Sequence, residues 1–322
     1  MIKRINGNIK QCVLPQFLAL KGYETNIGVN DVVVLKQDDG SLKASPLQIY
    51  FKVTSNIRSA IVTQKPKVCK IQIRENEFIE CMNIDCSDLQ CEETEHTCKL
   101  SNEQLHEMKL DAGINPAFFI IEEINVRIPF FIYQFDQGDK LIVTDIDGTI
   151  TKSDGRGFFG GNLGCKVHHE SVHEFFQKAH ENGYKIIYLT ARPIKYHALT
   201  RKYLFETLKD SDVDIWRLPQ NPVFCLSTDI AEAILRDSAL GASGKTTPLT
   251  NLLSLFKETS STVVVGAYGN NDSDSEAYKN VGIPISNTFM IDTNSRIVNL
   301  ATQEETSFKL QASEIDTLYP KY

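Results

Sequence analysis

Two carboxylates set two residues apart, directly after an apolar run, are the strongest chemical feature of this 322-residue chain. They are Asp145 and Asp147 in Asp145-Ile146-Asp147-Gly148-Thr149, preceded by Leu141-Ile142-Val143-Thr144. Residues two apart in a chain leaving a strand can point to the same side. Two carboxylates so placed can divide a reaction between a nucleophile and a general acid/base. With a divalent cation beside it, a carboxylate nucleophile suggests phosphoryl transfer through an aspartyl-phosphate. The plainer reading is a turn-forming Asp-Gly with a capping Asp.

Three later stretches offer supporting chemistry. The apolar run 185–189 ends in Thr190-Ala191-Arg192-Pro193. Pro193 suits the first turn of a following helix, and Thr190 with the N–H groups at that helix start would suit a phosphoryl oxygen. Threonine there is also an ordinary cap. The run 262–265 leads to Gly266-Ala267-Tyr268-Gly269-Asn270-Asn271-Asp272-Ser273-Asp274. Such an oxygen-rich loop could hold Mg2+, a hard cation that favours carboxylate, amide carbonyl and water ligands. Between these lies Gly244-Lys245-Thr246-Thr247-Pro248, where Lys245 could neutralise a transferred phosphoryl group. Alternatively it is a solvated lysine in the Gly/Ser-rich loop 241–244. The segment is not a P-loop, because Ala239 stands where a glycine is required. His168 and His169 could reach the same site or serve packing.

The elements that must position these residues follow a clear rhythm. From about Lys140, β-rich apolar runs at 141–144, 185–189, 223–226, 262–265 and 289–291 alternate with helix-like segments. Those segments lie near 170–182, 194–209, 228–238, 245–258 and 273–280. Buried strands alternating with helices predict an α/β fold with a doubly wound parallel sheet. Such sheets place ligands at the carboxyl ends of their strands. The amino-terminal half reads differently. A strand at 32–35 runs into the hairpin signal Asp38-Asp39-Gly40. Strands at 49–53, 68–73, 77–81, 117–121 and 126–133 then predict a β-sandwich of roughly 100 residues. Residues 85–95 hold five acids and no base, which predicts a solvated loop.

Composition bounds the partners. Forty-two per cent hydrophobic and 23% charged residues suit a well-packed core and exclude wholesale disorder. A net charge of −7 argues against nucleic acid as a partner. No apolar run approaches the ~20 residues of a membrane-spanning helix. The start does not read as a signal peptide, so an intracellular protein with reduced thiols is expected. The eight cysteines include Cys81, Cys86, Cys91 and Cys98, whose spacing fits no common zinc frame. Charge is unevenly spread: residues 1–23 carry +4 and the remainder −11. Ile2, Ile5, Ile9, Val13, Phe17 and Leu20 recur at helix spacing opposite that basic face. The segment is either a basic amphipathic helix on an anionic membrane surface or a first helix packed on its own domain. Pro15 ends or kinks it near Leu14.

In their order, the four stations resemble the haloacid dehalogenase-like phosphotransferases. That resemblance implies Asp145 as nucleophile and Asp147 as acid/base, with Thr149, Thr190 and Lys245 binding phosphate. It implies an Mg2+ site made of Asp145, the Asp147 carbonyl, Asn270 and, through a water, Asp274.

A narrower resemblance, to the lipin phosphatidate phosphatases, rests on 139–154, on Asn182-Gly183-Tyr184-Lys185-Ile186-Ile187-Tyr188, on 199–204 and on Gly269-Asn270…Asp274…Ala277-Tyr278. Residues 31–46 with Phe51, and Ala117-Phe118-Phe119, resemble that family's amino-terminal region. The resemblance implies an amphipathic membrane-binding helix at 1–18, an immunoglobulin-like β-sandwich at 22–135 and a haloacid dehalogenase-like catalytic domain at 136–322. The long linker usual between those regions is missing. It also implies Mg2+-dependent hydrolysis of phosphatidic acid to diacylglycerol, peripherally at the endoplasmic reticulum or nuclear membrane. Two departures stand out. Residues 241–248 replace a Lys-Pro-containing stretch, leaving Lys245 and Arg236 as competing phosphate-neutralising bases, and Asn115-Pro116 replaces an expected Gly-Glu. Two other readings are a non-catalytic phosphatidate-binding module, like the related carboxyl-terminal domains of some phosphatidylinositol-transfer proteins, and a phosphatase for a soluble phosphomonoester or phosphoprotein.

Overall fold

The computed structural model describes residues 27–52, 67–75, 77–84, 93–122, 126–152, 168–205, 218–227, 229–231 and 241–322. The expected helix at 1–18 and Arg236 lie outside the described residues.

The amino-terminal half contributes β1 (Ile27–Val29), β2 (Val32–Lys36), β3 (Leu42–Ala44), β4 (Leu47–Lys52), β5 (Lys67–Arg74), β6 (Glu77–Ile84), β7 (Glu93–Cys98), helix α1 (Asn102–Glu107), β8 (Gly113–Ile121) and β9 (Val126–Asp136). They form a three-stranded sheet, β1-β4-β7, and a six-stranded sheet, β3-β2-β9-β8-β5-β6. The two sheets close over one core, in which Ile27, Ile49 and Phe51 meet Ile71, Phe119 and Ile132. Phe51 and Phe119 touch across it with ring centroids 5.9 Å apart. The Asp38-Asp39-Gly40 turn joins β2 to β3 as expected, with Gly40 at φ +82°. The stretch expected as a solvated acidic loop is partly strand: Glu93 and Glu95 lie in β7, paired with Lys52 and Tyr50 of β4. Alternation lets this strand keep the Glu95 charge outward while Cys98 on its other face is buried.

The other half contributes β10 (Leu141–Thr144), α2 (Val172–Glu181), β11 (Lys185–Pro193), α3 (His197–Phe205), β12 (Val223–Leu226), α4 (Gly241–Leu253), α5 (Ser260–Val263), β13 (Val264–Gly269), α6 (Asp272–Asn280), β14 (Thr288–Ile291), β15 (Ile297–Asn299), β16 (Glu305–Thr306), α7 (Phe308–Ser313) and α8 (Ile315–Leu318). The sheet order is β12-β11-β10-β13-β14-β15-β16. The first five strands run parallel, and β15 and β16 add antiparallel. Helices cover both faces. Ile142, Ile186 and Tyr188 pack with Phe175 and Phe176 of α2. Leu141, Val143, Ile187 and Leu189 pack with Leu249 and Leu252 of α4 on the other side. Strand order reverses between β10 and β13, so the crevice of this doubly wound sheet opens at the end of β10.

Several boundaries differ from expectation. The run 262–265 divides between the short helix α5 and β13, which continues to Gly269. Residues 241–244 are the first turn of α4 rather than a loop, and Gly241, Ala242 and Gly244 are buried. The small residues serve close packing there; a Cβ on Gly241 would lie 3.0 Å from Cβ of Ser273. Pro193 closes β11 and precedes a 3-10 turn, Ile194–Tyr196, so Thr190 sits inside the strand instead of at a helix start.

The two halves share a core. In β2, Val32 and Val34 face the sandwich interior, whereas Val33 and Leu35 pack against Leu141, Val143 and Ile187. In β9, Phe130 and Ile132 face the sandwich, and Phe131, Tyr133 and Phe135 face the α/β half. Both strands are therefore buried on two sides, which is why they read as near-continuous apolar runs. Buried polar groups lock this junction. Asp31 accepts from the Val223 N–H at 2.9 Å and the Phe131 N–H at 3.1 Å, and it pairs with Arg201 of α3. The Arg201 guanidinium also lies 3.9 Å from the Phe131 ring centre. Gly28 of β1 comes so close to the Ile194 carbonyl that a Cβ would sit 2.1 Å from it.

Burial works against the Asp31 charge, but Arg201 and His197 hold its carboxyl below the usual range. Its stabilising contribution is thus complete above the unfolded value of ~3.9 and drains away as pH falls through the folded value. Asp31→Asn should cost roughly 3–5 kcal/mol at neutral pH by stranding Arg201 in the interior. Urea unfolding across pH should show that gap narrowing in acid.

Candidate active site

The Asp145-Ile146-Asp147-Gly148-Thr149 segment leaves the carboxyl end of β10, with Gly148 turning the chain at φ +91°. The ladder persists one residue past the strand, since the Asp145 N–H donates to the Tyr268 carbonyl of β13 at 2.9 Å. Ile146 and Ile150 are fully buried and anchor the turn from below. The Asp145 carboxylate is held between two elements. Lys245 Nζ donates to its Oδ1 at 2.6 Å, and the Thr149 hydroxyl lies 3.4 Å from its Oδ2.

Lys245 also donates to Asp274 Oδ1 at 2.5 Å, so one ammonium bridges two carboxylates. Asp274 sits in the first turn of α6, where its other oxygen accepts from the Asn270 and Asn271 N–H groups at 3.0 and 3.1 Å. A carboxylate there is favoured by the helix dipole. β13 ends in Gly269 because Asp274 folds back over it: a Cβ at 269 would lie 2.4 Å from Cβ of Asp274. The Tyr278 hydroxyl, from the same helix, donates to the Tyr268 carbonyl at 2.7 Å and ties α6 to β13.

Asp147 turns the other way. Arg192, at the end of β11, donates Nε to Oδ2 at 2.7 Å and Nη2 to Oδ1 at 2.8 Å. His169 buttresses the turn just after the second aspartate, with Nε2 3.3 Å from the Gly148 carbonyl and Nδ1 2.8 Å from the Ser295 hydroxyl. Burial lowers its pKa, which favours the neutral ring.

The structure thus gathers Asp145, Thr149, Lys245 and Asp274 into one hydrogen-bonded group, with Asp147 beside it and Asn270 attached through its backbone. Thr190 is fully buried, and its hydroxyl accepts from the Arg192 N–H at 3.2 Å rather than meeting a carboxylate. Lys245 is buried, not solvated, because the Gly/Ser stretch before it is helical. His168 pairs with Thr151 in an isolated bridge and packs edge-on against His173. Arg192 had no assigned role in the sequence; its only signal was standing two residues after Thr190.

Electrostatics here follow from burial. Burial raises the Asp145 carboxyl to about 7 against the pull of Lys245, with Asp274 and Asp147 adding to the rise. Burial also opposes the Lys245 charge, but Asp145 and Asp274 outweigh it and raise the ammonium. Three carboxyl groups face two cations in this group. Among the described residues, no cluster of three or more His, Cys, Asp or Glu side chains could hold a metal. That agrees with Asp147 and Asp274 being turned toward Arg192 and Lys245. What remains is the Asp145 carboxylate with amide and carbonyl oxygens of Asn270 and Asp147. An all-oxygen set with one carboxylate fits Mg2+, which keeps several waters, and suits zinc poorly. Among the described residues Cys69, Cys81, Cys98 and Cys225 are not joined in disulfides, and the other four cysteines lie outside the described residues.

Fold and site together define an α/β protein with a carboxylate–ammonium centre at the switch point of a parallel sheet. A family model described as LNS2 (Lipin/Ned1/Smp2) matches residues 96–320. Phosphatidate phosphatase LPIN1 from Homo sapiens is 30% identical over 230 residues, covering 70% of this chain and 25% of that protein. Phosphatidic acid phosphohydrolase 1 from Saccharomyces cerevisiae is 33% identical over 215 residues, covering 62% and 24%. Phosphatidate phosphatase PAH1 from Arabidopsis thaliana is 29% identical over 223 residues, covering 68% and 24%. The chain belongs to the LNS2 (Lipin/Ned1/Smp2) family. It spans about a quarter of the length of the curated relatives it matches.

Gly269→Ala should push Asp274 off its N–H partners and away from Lys245. A loss of about 1–3 kcal/mol is expected from overpacking, read as a lowered midpoint in thermal unfolding.

Proposed function

We propose that this chain is an Mg2+-dependent phosphatidate phosphatase, converting phosphatidic acid to diacylglycerol and phosphate at a membrane surface. The observation that carries the reading is the Asp145–Lys245–Asp274 bridge beside Asp147, at the crevice of a chain belonging to the LNS2 family. Relatives named phosphatidate phosphatase support the substrate. On this reading the α/β half, 136–322, is a haloacid dehalogenase-like catalytic domain and 22–135 an immunoglobulin-like sandwich.

Asp145 attacks phosphorus, the ester P–O bond breaks, and Asp147 gives its proton to the departing glycerol oxygen. The product is an aspartyl-phosphate on Asp145. Asp147, now a base, takes a proton from water as that water's oxygen attacks phosphorus. The P–O bond to Asp145 then breaks, releasing phosphate and restoring both carboxyl groups. Lys245 offsets charge on the phosphoryl oxygens, and Thr149 and Thr190 offer hydroxyl donors to them. Asp145, the Asp147 carbonyl and Asn270, with Asp274 holding a water ligand, would hold Mg2+, which would supply positive charge to offset that of the transferring group.

The membrane part of the proposal rests on residues 1–23, whose +4 charge and helix-spaced apolar residues suit an anionic surface. No helix among the described residues is long and apolar enough to cross a membrane. A peripheral position at the endoplasmic reticulum or nuclear membrane, without nucleic acid as partner, completes the reading.

Phosphate release from phosphatidate in mixed micelles, with and without a chelator, tests it. Turnover that stops with chelator and returns with Mg2+ is expected. Tight phosphatidate binding with no turnover would favour the non-catalytic module instead. Asp145→Asn should lower kcat by at least ~10³-fold, since it removes the nucleophile, while the thermal midpoint stays near that of the unaltered chain. Deleting residues 1–18 should weaken sedimentation with anionic liposomes yet spare hydrolysis of a soluble phosphate ester; unchanged sedimentation would refute the helix assignment.

A further inference from the structure

Asp147 stands in the turn after β10, past the last residue of the strand, so no sheet ladder sets its side chain. A guanidinium takes both of its oxygens. Arg192 grips both carboxylate oxygens, Nε to Oδ2 at 2.7 Å and Nη2 to Oδ1 at 2.8 Å. A two-point fork fixes the plane of a carboxylate as well as its distance, which a single ammonium contact cannot do.

The guanidinium is itself seated by α3. Its Nη1 lies 3.5 Å from the Thr200 hydroxyl, and its carbon 5.2 Å from the centre of the Tyr203 ring. The Arg192 side chain is 2% exposed and Asp147 14%, so solvent competes little for the fork. Helix α3 is pinned in turn from the sandwich half by the Arg201–Asp31 pair. A continuous set of contacts therefore runs from β2's flank through α3 to the second aspartate.

We infer that Arg192 is the positioning residue for Asp147: the fork aims the carboxyl group that exchanges the proton, and α3 aims the fork. The inference rests on the proposed role of Asp147 as acid/base. It goes beyond that role by naming the group that makes it geometrically competent.

The test uses the full chain with Arg192→Lys, which keeps the charge but loses the fork, and Arg192→Ala. Phosphoenzyme formation is followed in single turnovers with 4-nitrophenyl phosphate and with phosphatidate. A 4-nitrophenolate leaves without needing a proton, whereas an alkoxide does not. Both variants should therefore slow the alkyl ester by about 10²-fold, the scale of general acid catalysis, and the aryl ester far less, with KM for each little changed. Guanidinium ion should restore part of the Arg192→Ala rate. Adding Arg192→Ala to Asp147→Asn should cost nothing further, because the two residues act as one unit. Equal slowing of both esters, or full additivity in the double variant, would overturn the inference. A crystal structure of Arg192→Lys supplies a readout independent of turnover: Asp147 should lose its single orientation, and an unmoved carboxylate would refute the role. A chain that cleaves the aryl ester but not phosphatidate would sink the lipid reading alone and leave Arg192 standing.

Discussion

Keeping carboxylates charged out of water is the constraint on which the rest of this structure depends. A buried carboxylate without a partner takes up a proton, because desolvation penalises its charged form. Here Asp145 and Asp274 share the Lys245 ammonium, which pulls against the burial that raises the Asp145 carboxyl, and Asp147 takes the Arg192 fork. Each cation comes from a distant segment, 45 residues away for Arg192 and 100 for Lys245. Neither could be delivered by local structure. The doubly wound order does it: β10 lies between β11 and β13, so the ends of three strands and the start of α4 converge on one crevice. A different strand order would leave the acids facing each other without a counter-charge.

The sandwich half answers to the same constraint at one remove. It is part of the wall of the α/β half, because Val33, Leu35, Phe131, Tyr133 and Phe135 complete the core beneath β10 and β11. Its buried Asp31 fixes Arg201, and that pair sets the helix on which Arg192 rests. Burying an ion pair at the junction is costly and adds little net stability compared with apolar packing. What it does add is register: Asp31 also takes the Val223 N–H, so the sandwich can seat on β12 in only one way. Gly28, closing on the Ile194 carbonyl, enforces the same seating from β1.

Features governed by local rules were legible in the amino-acid sequence. The paired aspartates after an apolar run, the alternation of strands and helices from Lys140 onward, and the Asp38-Asp39-Gly40 hairpin each reflect chemistry within a few residues. Residue type, spacing and family resemblance make Asp145, Thr149, Lys245 and Asp274 site candidates, and they meet in one hydrogen-bonded group. Strand β7 was not legible, since acids at 93 and 95 look like a loop until their pairing with β4 is known. Nor was the helical start of α4, where glycine and serine oppose helix formation locally and packing against α6 overrides them.

By itself, then, the sequence determined which residue types stand at the ends of which apolar runs, and hence the chemistry on offer. The tertiary structure decided how that chemistry is wired: that Lys245 serves two acids at once, that Arg192 claims Asp147, and that the Thr190 hydroxyl takes the Arg192 N–H. The division has a physical cause. Hydrophobic periodicity and turn preference act over a few residues and leave a readable pattern. Electrostatic pairing acts through space between distant segments, 170 residues apart for Asp31 with Arg201, and its partners are chosen only when the sheet order brings them together.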